Sequence, residues 1–292
     1  MTAADLDLRK LRYFVAVAEE LNFGRAARRL HIAQPVLSRQ IRVFEDELGV
    51  PLFIRSSRGT QLTSAGVQLL QDAKVLLDEA AAVRHRLSRT ALPTGTVTVG
   101  VMAGLRATAA ATAFEAAGPG RRAVVRQVGW TEQVDVVRTG EVDVVYARVV
   151  TDQRGLGTAE LLHEPFDAVL PSGHPLAARA SVRLADLVQL PLLHDPAMLP
   201  EWRALTTSGA RWAPPPDTIR SVEDKLEHVA AREGFVVLPR STTAYYRRPD
   251  VRAVPIEDLR PGRVTLIWDA GVDNPLRDQF VAAALACRDD TI

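Results

Sequence analysis

Residues 22–66 read NFGRAARRLHIAQPVLSRQIRVFEDELGVPLFIRSSRGTQLTSAG, and this stretch decides the fold of the N-terminal third. Asn22 suits a helix N-cap, and Phe23 to Leu30 forms a short helix whose Ala26 and Ala27 let another helix approach closely. His31-Ile32-Ala33 breaks that pattern. A second helix runs from about Gln34 or Pro35 to Leu48. Pro35 fits a first turn, where a missing N–H loses no partner, and Gly49 ends the helix. Leu37, Ile41, Phe44 and Leu48 recur at helical spacing and point to a core, leaving Gln34, Val36, Ser38, Arg39 and Arg42 on the outer face. Leu52–Arg55 and Thr60–Thr63 are strand-like runs around Ser56-Ser57-Arg58-Gly59, a hairpin turn in which Gly59 can take a positive φ.

Upstream, Leu8, Leu11, Phe14, Val15, Ala18 and Leu21 make the apolar stripe of a preceding helix. Helix, short helix, turn, helix and basic hairpin together predict a winged helix-turn-helix, which lays its last helix in a DNA major groove and steadies it with the wing. The candidate DNA contacts are Gln34, Pro35, Val36, Ser38, Arg39 and Arg42 on that helix. Arginine suits guanine, glutamine suits adenine, and valine suits a thymine methyl. Arg55 and Arg58 on the wing would reach phosphates, which position without specifying. The plainer alternative is an ordinary amphipathic helix with a wetted polar face. Charge favours the reader: the chain's net +1 conceals 14 Lys and Arg against 10 Asp and Glu in residues 1–92, and 22 against 25 in the rest. Nearly all the cations are arginine; lysine occurs only at Lys10, Lys74 and Lys225.

Thr63 can cap a long helix from Ser64 to about Arg89, in which Leu70, Ala73, Leu77, Ala80, Val83 and Leu87 form one seam, broadened by Leu69 and Leu76. A helix of that length with a narrow apolar stripe predicts a dimerisation helix. Pro93-Thr94-Gly95 marks a boundary, so the expected division is 1–63 reader, 64–92 linker helix and 93–292 sensor.

Beyond it, Thr96–Val101, a helix near Leu105–Ala117, Arg122–Val128, a helix near Thr131–Thr139 and Val142–Tyr146 alternate as in an α/β sheet with parallel strands. Further strands are expected at Phe166–Leu170, Leu190–His194, Thr218–Val222, Phe235–Leu238, Val251–Pro255 and Val264–Trp268. Helices are expected near Met198–Ser208, Glu223–Arg232 and Pro275–Arg288, with Ala213-Pro214-Pro215-Pro216 as a stiff loop. In such sheets a ligand sits beyond the carboxyl ends of strands. Met102, Ala103 and Gly104 would offer backbone N–H groups at a helix start, Thr131 a hydroxyl, Arg148 a bidentate clamp for a carboxylate, and Phe235 an apolar wall. The alternative is that Thr131 only caps a helix and Arg148 bridges two lobes as an ion pair.

Residues 8–90 resemble the N-terminal module of LysR-type transcriptional regulators, on the motif LRYFVAVAEELNFGRAARRLHIAQPVLSRQIRVFEDELGVPLFIRSSRGTQLTSAG. Residues 93–292 resemble the effector domain of that family, on QVGWTEQVDVVRTGEVDVVYAR, FDAVLPSGHPLA and VAAREGFVVLP. The resemblance implies an α/β sensor of two Rossmann-like lobes, like that of periplasmic solute-binding proteins. Lobe I would take about 93–162 and 268–292, and lobe II about 163–267. It further implies homodimers that associate into tetramers on double-stranded promoter DNA. The implied effector is a small organic anion, such as a muconate-like or aromatic acid, and RNA polymerase is a candidate further partner. Thr131 and Arg148 match acid-contacting positions of the muconate-sensing branch, whereas Gly104 stands where that branch has a polar residue and Trp130 adds bulk.

Enzyme chemistry finds little support. The six histidines are scattered without HExxH spacing, PSGHP is not a nucleophile elbow, and GVMAGLRA falls short of a dinucleotide motif. No cofactor and no metal site is expected. Cys287 is the sole cysteine, which disfavours a redox switch needing paired thiols. No run of about 18 apolar residues occurs and no signal peptide is read at the N-terminus, so a cytoplasmic location is expected. The rival reading is a small-acid-binding or catalytic α/β protein carrying an architectural DNA module.

Overall fold

The computed structural model describes residues 6–56, 59–89, 94–148, 150, 152–194, 199–206, 219 and 221–292. Arg58, Pro93, Met198, Ser208, the 213–216 loop and Thr218 lie outside the described residues. The chain divides into two compact units, Met1–Arg89 and Thr90–Ile292.

In the first unit, α1 (Leu8–Glu20) is capped by Asp7, whose side chain accepts from the Arg9 N–H. Leu11, Phe14 and Ala18 of its stripe are buried, while Leu8 and Leu21 at the ends stay exposed. The helix α2 (Phe23–Arg29) is capped by Asn22, and α3 (Gln34–Leu48) ends at Gly49 in the left-handed conformation. His31 turns the chain between them with φ +54°, a conformation uncommon for a residue with a side chain. The wing is β1 (Phe53–Ser56) paired antiparallel with β2 (Gly59–Leu62). The long helix α4 (Ser64–Arg89) then packs on α1. Leu37, Ile41 and Phe44 from α3, Phe14 from α1 and Ala73 from α4 share one core.

The second unit holds two sheets. The first has the order β4-β3-β5-β10-β6, from β3 (Thr96–Val101), β4 (Arg122–Gln127), β5 (Val144–Arg148), β6 (Leu156–Glu164) and β10 (Gly262–Asp269). The strand β3 is parallel to both neighbours, as the alternating pattern predicts, and β10 runs antiparallel to β5 and β6. TVTVGV is buried throughout because the sheet is covered on both faces. One face meets α5 (Thr108–Ala116) and α10 (Pro275–Ala286), and Val137 of the short α6 (Asp135–Arg138) lies in the core with Val145 and Ile267.

The second sheet, β8-β7-β9, is wholly antiparallel and uses β7 (Phe166–Pro171), β8 (Val236–Pro239) and β9 (Val251–Pro255). It packs α7 (Pro200–Thr206) in one core and α8 (Val222–Ala230) in another, and α9 (Arg240–Tyr245) follows β8 directly. The chain is back in the first sheet by Gly262, ahead of the expected Trp268. Among the described residues Leu190–His194 forms no strand, and of Thr218–Val222, where Thr218 and Arg220 lie outside them, Val222 is helical. Leu190–His194 contributes only a single bridge from Leu192 to Phe235. Val222 begins a helix because Ser221 and Asp224 form a reciprocal capping box there.

Candidate functional sites

The outer face of α3 is open. Gln34, Pro35, Val36, Arg39 and Arg42 are exposed and Ser38 is half-buried, while Leu37 and Ile41 beneath them are sealed. Among the described residues no acid pairs with Arg39 or Arg42. The acids of α3 lie in its C-terminal half, and two of them, Glu45 and Glu47, hold the domain together. Glu47 pairs with Lys10. Glu45 accepts from the Leu52 and Phe53 N–H groups at 2.8 and 3.1 Å and from the Arg55 guanidinium at 3.0 Å. Arg55 also lies 4.9 Å from the Phe23 ring centroid. It therefore fastens the wing to α2 and α3 instead of projecting freely toward phosphates. Glu45, which ties the wing's entry to α3, has no distinctive sequence signal.

The expected seam of α4 divides in two. Ala73 is buried and Leu70 and Leu77 are half-buried against the reader's own core, so they serve the domain. Ala80 is half-buried, while Leu76, Val83 and Leu87 are 42%, 45% and 67% exposed and share one side of the helix.

Between the two lobes of the second unit, Arg148 at the end of β5 is sealed. Its Nε donates to Glu164 Oε1 at 2.6 Å, one terminal nitrogen donates to the Ala103 carbonyl at 3.2 Å, and the other to Ser241 Oγ at 2.6 Å. Ser241 in turn donates to Glu164 Oε2 at 2.6 Å. Burial pulls the Arg148 pKa below its ordinary value, and the Glu164 carboxylate opposes that pull. These contacts tie β5, the end of β6 and α9 together, which is the bridging role and leaves the guanidinium no open face.

The turn after β3 is equally occupied. α5 begins at Thr108, so Met102, Ala103 and Gly104 do not start a helix, and Met102 is buried with its carbonyl accepting from the Leu105 N–H. Gly104 has φ +87°, and a Cβ there would lie 2.5 Å from the Ser241 backbone. The absence of a side chain lets α9 close on this turn. Phe235 is fully buried against Trp202 in the core of the second lobe and does not wall a cleft. Thr131 is exposed on the turn after β4, but α6 begins only at Asp135, so Thr131 does not stand at the helix start that the sequence suggests. Gln133, buried beneath it, donates to the Trp130 carbonyl and accepts from the Arg148 N–H, coupling this turn to the sealed arginine. A cavity of about 490 Å³ opens elsewhere, on the second lobe, lined by Asp167, Arg240, Tyr246 and Arg248 among others.

Residues 8–67 match the family described as "Bacterial regulatory helix-turn-helix protein, lysR family", and residues 90–286 match the "LysR substrate binding domain". The chain belongs to the LysR family of transcriptional regulators. It is 32% identical over 282 residues to the transcriptional regulator TfdS of Cupriavidus pinatubonensis, covering 91% of this chain and 94% of that protein. The uncharacterized transcriptional regulator YnfL of Escherichia coli is 38% identical over 196 residues, 65% of this chain and 65% of YnfL, so under two thirds of that relative's length is spanned. Full-length BenM has a similar structure, with a TM-score of 0.53 at 26% identity over 98% of this chain and 97% of that one. The matched families and named relatives are regulators, not enzymes. For this LysR-family chain, Glu164, Ser241 and Gln133 are the structural residues that sequence reasoning passed over. They carry no motif and meet Arg148 only through folding.

Proposed function

We propose that this protein is a sequence-specific, DNA-binding transcriptional regulator of double-stranded promoters, controlled by a small organic acid held between the two lobes of its C-terminal unit. The observation that carries the reading is the open N-terminal half of α3, where Gln34, Val36, Arg39 and Arg42 stand exposed over a sealed core. Exposed guanidinium and amide groups at that end of a recognition helix suit base edges in the major groove. The effector contact assigned from the first lobe is Thr131, and muconate-like and aromatic acids are the class to try first. The exposed stripe of Leu76, Val83 and Leu87 supports pairing of two chains through α4, and the reading places the protein in the cytoplasm. Selection from a randomised duplex pool tests the central claim: enrichment of a partly palindromic site is expected, and binding without any sequence preference overturns it.

A further inference from the structure

An organic-acid effector, as proposed above, needs a group that meets its charge. Lys225 lies on α8, and its ammonium stands 5.9 Å from the ring centroid of Trp130, on the first-lobe turn that also carries Thr131. It is partly buried, burial lowers its pKa, and among the described residues no acid forms an ion pair with it.

The other two lysines have acids: Lys10 pairs with Glu47, and Lys74 with Glu19. The acids near Lys225 along its helix are committed elsewhere. Asp224 accepts from the Ser221 N–H, Glu227 pairs with Arg248, and Tyr246 donates to Glu223. His228 is held by Glu233. On the facing turn, Glu132 accepts from the Gly129 N–H. A partly desolvated ammonium without a carboxylate is unfavourable unless something supplies one.

We propose that Lys225 is the charge partner of the effector, a small carboxylate held between Lys225 on the second lobe and the Thr131 hydroxyl on the first, with Trp130 as its flank. The aromatic face holds the cation in place while the site is empty. An anion touching both lobes binds the closed arrangement better than an open one, which is the differential affinity a switch requires.

The test is isothermal titration of the full-length protein and of Lys225→Met and Lys225→Arg with cis,cis-muconate, benzoate and neutral benzamide. At least one acid is expected to bind the wild type while benzamide does not. Lys225→Met should weaken that acid by about tenfold or more, and Lys225→Arg by only about threefold. Acid-free Lys225→Met should melt no lower than the wild type, because a partly desolvated charge is removed. Unchanged acid affinity in Lys225→Met overturns this proposal and leaves the organic-acid reading standing; a lower melting temperature with unchanged affinity identifies Lys225 as a latch on Trp130 and also overturns it. No binding of either acid to the wild type overturns the organic-acid reading and this proposal together.

Discussion

Arg39 and Arg148 are the same residue put to opposite use. Arg39 stands on the outer face of α3, exposed above a core that holds its helix rigid. Arg148 is 3% exposed, and Glu164, Ser241 and the Ala103 carbonyl take up its donors. A charge left in water costs little to keep and is available to a partner, whereas a buried one needs compensation from within the fold. One arginine suits recognition; the other fixes how two lobes meet.

The largest effect is expected from stripping the buried arginine of its acid. Glu164→Ala should destabilise the protein by about 3–5 kcal/mol in urea unfolding, because the uncompensated Arg148 charge stays buried. Adding Arg148→Met should restore part of that loss. Equal stability of Glu164→Ala and wild type would show that Arg148 reaches solvent or another anion.

Gly104→Ala strikes the same junction through sterics. The positive φ alone costs about 1–2 kcal/mol, and the clash with the Ser241 backbone adds to it. Loss of thermal stability together with a changed effector response is expected; an unaffected melting curve would mean that α9 moves away freely.

On the exposed side, Arg39→Ala should leave unfolding nearly untouched and reduce discrimination between specific and random duplex by about 1–3 kcal/mol, measured by competition binding. Loss of stability without loss of discrimination would assign Arg39 to the fold.

The smallest effect is an intermediate case. Burial pushes the Glu19 pKa up, but Lys74 and Arg29 outweigh it, and the carboxyl titrates below its ordinary 4.5. A depressed carboxylate pKa contributes stability that is present above the ordinary value and lost as pH falls through the folded-state value. These partners are about half exposed, so Glu19→Gln should remove no more than about 1 kcal/mol at pH 7 and flatten the acid limb of stability against pH.

Much of the first unit is legible in its residues. Local devices set it: the Asn22 cap, Pro35 in a first turn, Gly49 after Leu48, and the i, i+4, i+7 spacing from Leu37 to Phe44. The second unit is less so. Leu156–Glu164, LGTAELLHE, lacks strand alternation and is rich in helix formers, yet it pairs with β10 from end to end, interrupted only by a bulge at Leu161. Tertiary pairing overrides propensity there. Leu190–His194 errs the other way, an apolar run whose bridge to Phe235 never extends into a ladder.

By itself the sequence determined what depends on neighbours along the chain: caps, helix periods, the hairpin and the buried character of TVTVGV, since these forces act within a few residues. Only the tertiary structure decided what depends on residues far apart. It turned Arg148 into a bridge to Glu164 and Ser241, sent Phe235 into a core, drew Arg55 onto Glu45, and set Lys225 over Trp130 with no acid paired to it among the described residues. Long-range partners set the burial and charge balance of an ionisable side chain, and no local spacing encodes which partners those will be.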